Sequence, residues 1–320
     1  MSIVVRKRKK GRRVTLKDTW PLHLMVLPCI ILMLVFNTYP LLSGIQISLM
    51  NFKPALGFAR SKFVGLDNFE YIFQPPNTWQ FFRNTLVMAV GKIILTQFLA
   101  LLYAVLLNEV QSVRLKRSSQ TIVYLPHFLS WVILGITFKS MLSNDGTVNQ
   151  ILMNLGLIKE PIWFLGSNQL FQPTMIILEA WKEFGFAAVI FIASLAGINP
   201  ELHEAAAIDG AGRVKRIWHV TLPGISTTVM LVMALQISGI LNAGFDQIYN
   251  MYAPVVYESG DIIDTYAYRI GFTGTPQYSI STAIGFTKSI ICFILTLVSN
   301  WLASKYGNRR LFRSGRCEYD

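Results

Sequence analysis

Charged and amide side chains embedded in apolar surroundings are where this chain could do chemistry. Glu179, Lys182 and Glu183 fall at i, i+3 and i+4, a spacing that sets them on one helical face, and Trp181 is adjacent. Gln236, Gly239 and Asn242 recur near i, i+3 and i+6 in a second apolar stretch, and Lys92 and Lys288 sit within two more. A charge at the centre of a bilayer costs about 2.5–3.5 kcal/mol on insertion scales, so such groups face protein or water. Two readings are open. One is a polar path contacting a hydroxyl- and carboxylate-bearing solute, with Trp181 available to stack on a sugar face. The other is mutual ion pairing, or contact with a second transmembrane subunit.

Bond-breaking chemistry has little support. Gly91-Lys92 lacks the preceding glycine and the following Ser or Thr of a phosphate-binding loop. His23, His127, His203 and His219 are separated, with no His-x-x-x-His or Glu-x-x-His pair to hold a metal. No Gly-x-Ser-x-Gly elbow occurs. The expectation is a non-enzyme with no catalytic residue, no metal and no cofactor of its own. Cys29, Cys292 and Cys317 are scattered, which suggests neither a disulfide framework nor a metal cluster.

The elements that must position these groups follow from composition. Of 320 residues, 52% are hydrophobic and only 14% charged, where a soluble domain carries about 25%. Residues 24–52 and 217–245 contain no Asp, Glu, Lys or Arg. About 20 apolar residues span a bilayer as a helix. Six segments emerge, near 22–49, 83–107, 121–141, 173–197, 223–245 and 281–304. They are continuously apolar rather than alternating, which favours helices over a barrel. The fold class is therefore all-α integral membrane, with about six transmembrane helices.

Net charge is +12, and its distribution argues for a membrane rather than nucleic acid. Lys and Arg number nineteen across residues 1–20, 109–120, 198–221 and 305–320, against five across 51–81, 143–172 and 246–280. Both termini inside, in the cytoplasm, satisfies the positive-inside rule at every loop. Residues 1–20 read as a basic cytoplasmic tail that meets anionic headgroups, 21–312 as the membrane domain, and 313–320 as a second tail. The outer loop 143–172 is expected to hold a turn at Asn144-Asp145-Gly146 and a short helix over 148–154.

One cytoplasmic loop is more than a connection. Glu204-Ala205-Ala206-Ala207-Ile208-Asp209-Gly210-Ala211 ends at Thr221-Leu222-Pro223. Asn199 suits the cap of a helix and Pro200 its first position, while Gly210 and Gly212 break it. A second short helix is expected over 213–220, with Pro223 at the start of the next apolar segment. The product is a helix–turn–helix knuckle at the membrane surface. Its small Ala side chains permit close approach of another protein, and Glu204, Asp209 and Arg213 can fix orientation.

Glu-Ala-Ala, Asp-Gly-Ala and the later Leu-Pro at these spacings resemble the EAA loop of maltose-type permease subunits of ATP-binding-cassette importers. Ser226 stands where many members have a second proline. The resemblance extends through Tyr39-Pro40-Leu41, Phe63-Val64-Gly65-Leu66-Asp67-Asn68-Phe69 and Asn84-Thr85. Leu107-Asn108-Glu109, the run from Gln120 to Trp131, Trp163-Phe164-Leu165-Gly166 and Asp264-Thr265-Tyr266 resemble the aldouronate and alginate oligosaccharide subgroup.

The resemblance implies a second homologous permease as partner, forming a heterodimer, and two cytoplasmic ATPase subunits that bind ATP and Mg. It also implies a periplasmic or extracellular solute-binding protein, and residence in the bacterial cytoplasmic (inner) membrane. The loop 199–223, between helices four and five, would couple ATPase closure to alternating access through Glu204, Ala205, Ala206, Asp209, Gly210, Ala211, Arg213, Leu222 and Pro223. The substrate path would draw on Lys92, Glu179, Trp181, Lys182, Glu183, Gln236, Asn242 and Lys288. A slight cationic excess among the spans suits an acidic oligosaccharide. An ion-coupled secondary transporter is the rival, but it should place acids or histidines deep in several helices, and only the fourth offers them.

Overall fold

In lipid a backbone must satisfy its own polar groups, and long apolar runs do so as helices. The computed structural model describes residues 16–74 and 78–306. The sequence-derived basic tail lies partly, and the tail 313–320 wholly, outside the described residues. In chain order the helices are α1 (Leu16–Met33), α2 (Tyr39–Ser48), α3 (Gly57–Arg60), α4 (Asp67–Phe73), α5 (Thr78–Glu109), α6 (Val113–Tyr124), α7 (Trp131–Met141) and α8 (Thr147–Asn154). They continue as α9 (Phe171–Ala196), α10 (Pro200–Ile208), α11 (Arg213–Arg216), α12 (Leu222–Ser238), α13 (Phe245–Met251), α14 (Tyr257–Gly260), α15 (Ile263–Phe272) and α16 (Tyr278–Tyr306). A two-residue antiparallel ladder, Met50 opposite Phe63, is the only sheet among the described residues.

Four helical stretches are long and apolar enough to cross a membrane: His23–Ser48, Thr78–Glu109, Arg213–Ser238 and Tyr278–Trp301. The α6–α7 pair would be a fifth. Helix α9, 26 residues long, has the length but carries Glu179, Lys182 and Glu183.

Three expectations are corrected. The third segment, expected as one helix over 121–141, is two helices bent by 96°. A 3₁₀ turn at Leu125–Phe128 contains Pro126, Leu129 turns extended, and the Ser130 side chain accepts from Ile133 N–H to start α7. The fifth segment, expected to run to 245, stops at Ser238. Gly239 caps it, and Gly244 adopts φ 87°, a conformation that L side chains rarely take. The short helix expected over 213–220 does not stop before Pro223: helix runs unbroken from Arg213 to Ser238.

Proline inside a helix lacks an N–H and crowds the carbonyl four residues back. At two of its helical prolines, Pro40 and Pro223, the chain widens into a π-turn just ahead. Leu34–Thr38 precedes Tyr39-Pro40, and Ile217–Thr221 precedes Leu222-Pro223. Tyr39 N–H then bonds Leu34 O, and Leu222 N–H bonds Ile217 O, five residues back in each case.

The core forms where α5 lies along α9. Toward the outer side Met88 and Ala89 meet Phe171 and Met175, together with Ile248 and Met251 of α13. Toward the inner side Ala100 and Ala104 meet Ala188, Phe191 and Ile225. Small residues let these helices approach closely. At Gly185 a Cβ would lie 2.3 Å from the Val123 carbonyl oxygen, so α6 packs backbone-first against α9. Helix α16 packs against α2, α12 and α15. By contrast no residue in the most apolar window of His23–Ser48 is buried among the described residues, although α2 at its end touches α16, so most of this surface is left for lipid or a partner.

Candidate functional site

The break after α12 brings the polar groups together. A cavity of about 590 Å³ is bordered by Lys92, Thr96 and Gln97 of α5, Glu179 and Glu183 of α9, and Gln236, Asn242 and Gly244 around the break. Lys92, only 6% exposed, organises it. Its ammonium donates to the Ala243 carbonyl at 2.6 Å and to Gln247 Oε1, and lies 3.9 Å from Glu179 Oε2. The Gln247 amide donates onward to Met175 O of α9 at 2.9 Å. A buried lysine stays charged only when such partners surround it. This one fastens three elements at once. Gly244 is required twice over: besides its positive φ, a Cβ there would sit 2.9 Å from Lys92 Nζ.

Gln236 and Asn242 were expected on one helix, the fifth. They share the cavity without sharing a helix, because α12 ends between them. Two acceptors beside this space have no hydrogen-bond partner, Gln97 Oε1 and Glu179 Oε2, although both atoms are buried. An unpaired buried acceptor is costly, so a donor from outside this chain is the natural complement.

Lys182 does not face the cavity. It is buried, donates to Glu183 Oε1 at 2.6 Å and to the His127 carbonyl at 2.9 Å, and lies 5.8 Å from the Trp131 ring centroid. Glu183 in turn meets His127 Nδ1 at 2.7 Å, and the imidazole stacks on Phe186 at 4.0 Å. Lys182 and Glu183 thus strap the α6–α7 bend to α9. Trp181 lies elsewhere, 43% exposed and edge-on to Phe138 at 5.6 Å. Two residues along a helix turn the side chain by about 200°, which takes Trp181 away from the face of Glu179. Lys288 is also elsewhere, held by both oxygens of Asp264 at 2.7 and 2.8 Å.

Sequence reasoning missed Gln97, His127, Gln247 and the Ala243 carbonyl. Gln97 carried a signal, an amide deep in an apolar run one turn beyond Lys92. The others depend on breaks that glycine and proline only hint at and that contacts from other helices fix. Among the described residues no cluster of three His, Cys, Asp or Glu could hold a metal.

The second constellation is the knuckle. Asn199 Oδ1 accepts from Glu201 N–H at 3.1 Å, and Pro200 opens α10. At the other end Ala211 N–H bonds Ala206 O at 2.9 Å and Gly210 N–H bonds Ala207 O at 3.1 Å, with Gly210 at φ 77°. This is a Schellman cap, which glycine permits without strain. Glu204, Ala205, Asp209 and Arg213 are exposed, and Ala206 and Ala211 half-buried. No residue of α10 or α11 is buried, and Ile208 is 87% exposed, with Leu202, Val214 and Trp218 also exposed. Apolar side chains gathered at such a surface mark a contact with a membrane or with another protein. Leu222 and Pro223 lie in the continuous helix behind it.

Residues 97–308 match the family described as binding-protein-dependent transport system inner membrane component. Protein LplB of Bacillus subtilis (strain 168) is 38% identical over 92% of each chain. The polygalacturonan/rhamnogalacturonan transport system permease protein YteP of the same organism is 35% identical over 97% of this chain and 96% of its own. A chain from the crystal structure of a bacterial alginate ABC transporter in complex with alginate pentasaccharide-bound periplasmic protein superimposes with a TM-score of 0.83. It is 33% identical over 92% of this chain and 98% of that one.

Proposed function

Since the chain belongs to the family of binding-protein-dependent transport system inner membrane components, we propose that it is one of two paired permease subunits in an ATP-driven oligosaccharide importer. It is a multi-pass protein of the bacterial cytoplasmic membrane. In this reading six spans cross the bilayer, α9 being the fourth. Two ATPase subunits bind ATP and Mg and dock on the 199–223 loop, and a solute-binding protein delivers substrate from outside.

The observation that carries the reading is the knuckle: a capped, fully surface-borne helix pair placed in sequence between α9 and α12. Both of those helices also border the polar cavity. Closure of the ATPases moves the knuckle, and the two helices carry that displacement to the cavity. Force, not bond chemistry, passes through Glu204 to Gly210.

The substrate we propose is an acidic oligosaccharide of the uronate type, supported by the substrates that the alginate and polygalacturonan relatives carry in their names. A neutral sugar is the second reading. It is favoured by the engagement of Lys92, Lys182 and Lys288 with partners inside the chain, and by Gln97 Oε1 and Glu179 Oε2, which accept no hydrogen bond among the described residues and suit hydroxyl donors.

The test is ATPase activity of the complex reconstituted with its partners and binding protein, against acidic and neutral oligosaccharides. Stimulation by uronates alone supports the full reading. Stimulation by neutral sugars keeps the importer and discards the acidic substrate. ATP-independent uptake overturns the importer.

A further inference from the structure

Aromatic rings crowd the outer end of α13. Phe245 and Tyr249 stack with centroids 5.2 Å apart, Tyr249 meets Tyr268 edge-on at 4.9 Å, and Tyr268 stacks on Phe272 at 5.2 Å. Tyr252, just after α13, packs on Tyr257 at 5.1 Å. Such pairs ordinarily fill a core. Here Tyr249 is 41% exposed, and with Tyr252, Tyr257 and Tyr268 it borders an open cavity of about 540 Å³. That falls within the range of about 300–1,000 Å³ typical of small-molecule sites.

The remaining walls are polar, from Lys139 of α7, Asn250 of α13 and Arg269 of α15. Arg269 is already committed. Its guanidinium reaches both Asp261 oxygens, at 3.1 and 2.5 Å, and lies over the Tyr257 ring at 4.3 Å. Lys139 makes no ion pair with any described residue. Burial, with Tyr257 and Asp261 alongside, pushes the Tyr252 phenol up to about 12, so it stays a neutral hydroxyl at physiological pH.

We propose that this outer pocket is a saccharide subsite that receives one uronosyl unit, its C–H face on Tyr249, its rim against Tyr268, which stands edge-on to that ring, and its carboxylate on Lys139. A pyranose presents an apolar face and a hydroxyl rim. The lining offers partners for both: the rings of its tyrosines, and their phenols with the Asn250 amide. Lys139 supplies the one unpaired cation in its lining, which is what separates a uronate from a neutral sugar here. Helix α13 also ties the pocket to the inner cavity. Gly244, just before α13, borders the inner space, and Tyr249, Asn250 and Tyr252 border the outer one, across a helix of about 10 Å. An oligosaccharide seated outside is thus aligned with the space that it enters next. The inference rests on the importer reading above.

The test uses the reconstituted complex with its binding protein, and two probes: a uronic-acid trisaccharide and its carboxyl-reduced neutral counterpart. Uptake KM and co-purification of all subunits are measured for wild type, Lys139→Gln, Tyr249→Ala and Tyr268→Ala. The expected result is a rise of about tenfold in KM for the uronate alone in Lys139→Gln, the size of one lost hydrogen bond to a charged group. Either tyrosine variant should raise KM for both probes, with assembly intact. Wild-type KM values in all three variants would overturn the pocket while leaving the importer standing. So would loss of the second permease or of binding-protein affinity, which would make this face a protein contact. A wild-type complex that imports neither probe overturns the function reading and the subsite together.

Discussion

The cavity between α5 and α9 and the knuckle between α9 and α12 are opposites built from the same kinds of residue. Around the cavity, Lys92, Glu179 and Glu183, with Lys182 just behind them, are tied into ion pairs and carbonyl bonds within the chain. On the knuckle, Glu204, Asp209 and Arg213 make no ion pair among the described residues and lie in the open. Charge around the cavity holds the protein together, and charge on the knuckle is held ready for something else. Substitutions in the first region should therefore register as lost stability, and substitutions in the second as lost partnership.

Lys92→Met should produce the largest change. It strands Glu179, Gln247 Oε1 and the Ala243 carbonyl, and removing one member of a buried charge network costs about 3–5 kcal/mol. The thermal midpoint of the detergent-solubilised complex should fall accordingly; an unchanged midpoint would mean that the network is not what fixes the break after α12. Next comes Gly244→Ala. The positive φ alone costs about 1–2 kcal/mol for an L side chain, and the added Cβ meets Lys92 Nζ at 2.9 Å. A midpoint drop smaller than that of Lys92→Met is expected in the same assay.

Gly210→Val sharpens the contrast, because the φ is also positive yet a Cβ there meets nothing within 4 Å. Its cost is confined to the turn, about 1–2 kcal/mol, and should spare insertion and assembly. Uptake per ATP hydrolysed should fall, and a wild-type ratio would remove the knuckle from the transmission of force. The smallest effect on stability belongs to Ile208→Asp, within about 0.5 kcal/mol for so exposed a site. Co-purification of the ATPase subunits should nevertheless be lost; their retention would mean that they dock elsewhere.

Much of the architecture was legible because apolar runs and charge asymmetry act locally. Helices α5, α9 and α16 lie close to the expected segments, and the turn ahead of α8 falls at Asn144-Asp145-Gly146 with its helix at Thr147–Asn154. The knuckle was legible for the same reason, since Asn199, Pro200 and Gly210 each have a preferred place at a helix end. The interruptions at 129–130 and 239–244 were not. Glycine and proline hinted at them, but Lys92 and Lys182, reaching over from other helices, hold those breaks by their carbonyls. The cavity was half legible: Lys92, Glu179, Glu183, Gln236 and Asn242 could be named as polar groups at depth, whereas Trp181 and Lys288 could not be separated from them without knowing which way each helix turns.

The π-turn at Ile217–Thr221 has a consequence for the alignment of those two regions. One residue more than an α-turn needs is stored there, and each residue turns a helix by about 100°. The turn therefore sets the angular phase between the knuckle and the residues of α12 that border the cavity. Deleting a single residue from it would leave every contact surface chemically intact and point the knuckle a quarter-turn or more away from whatever it meets.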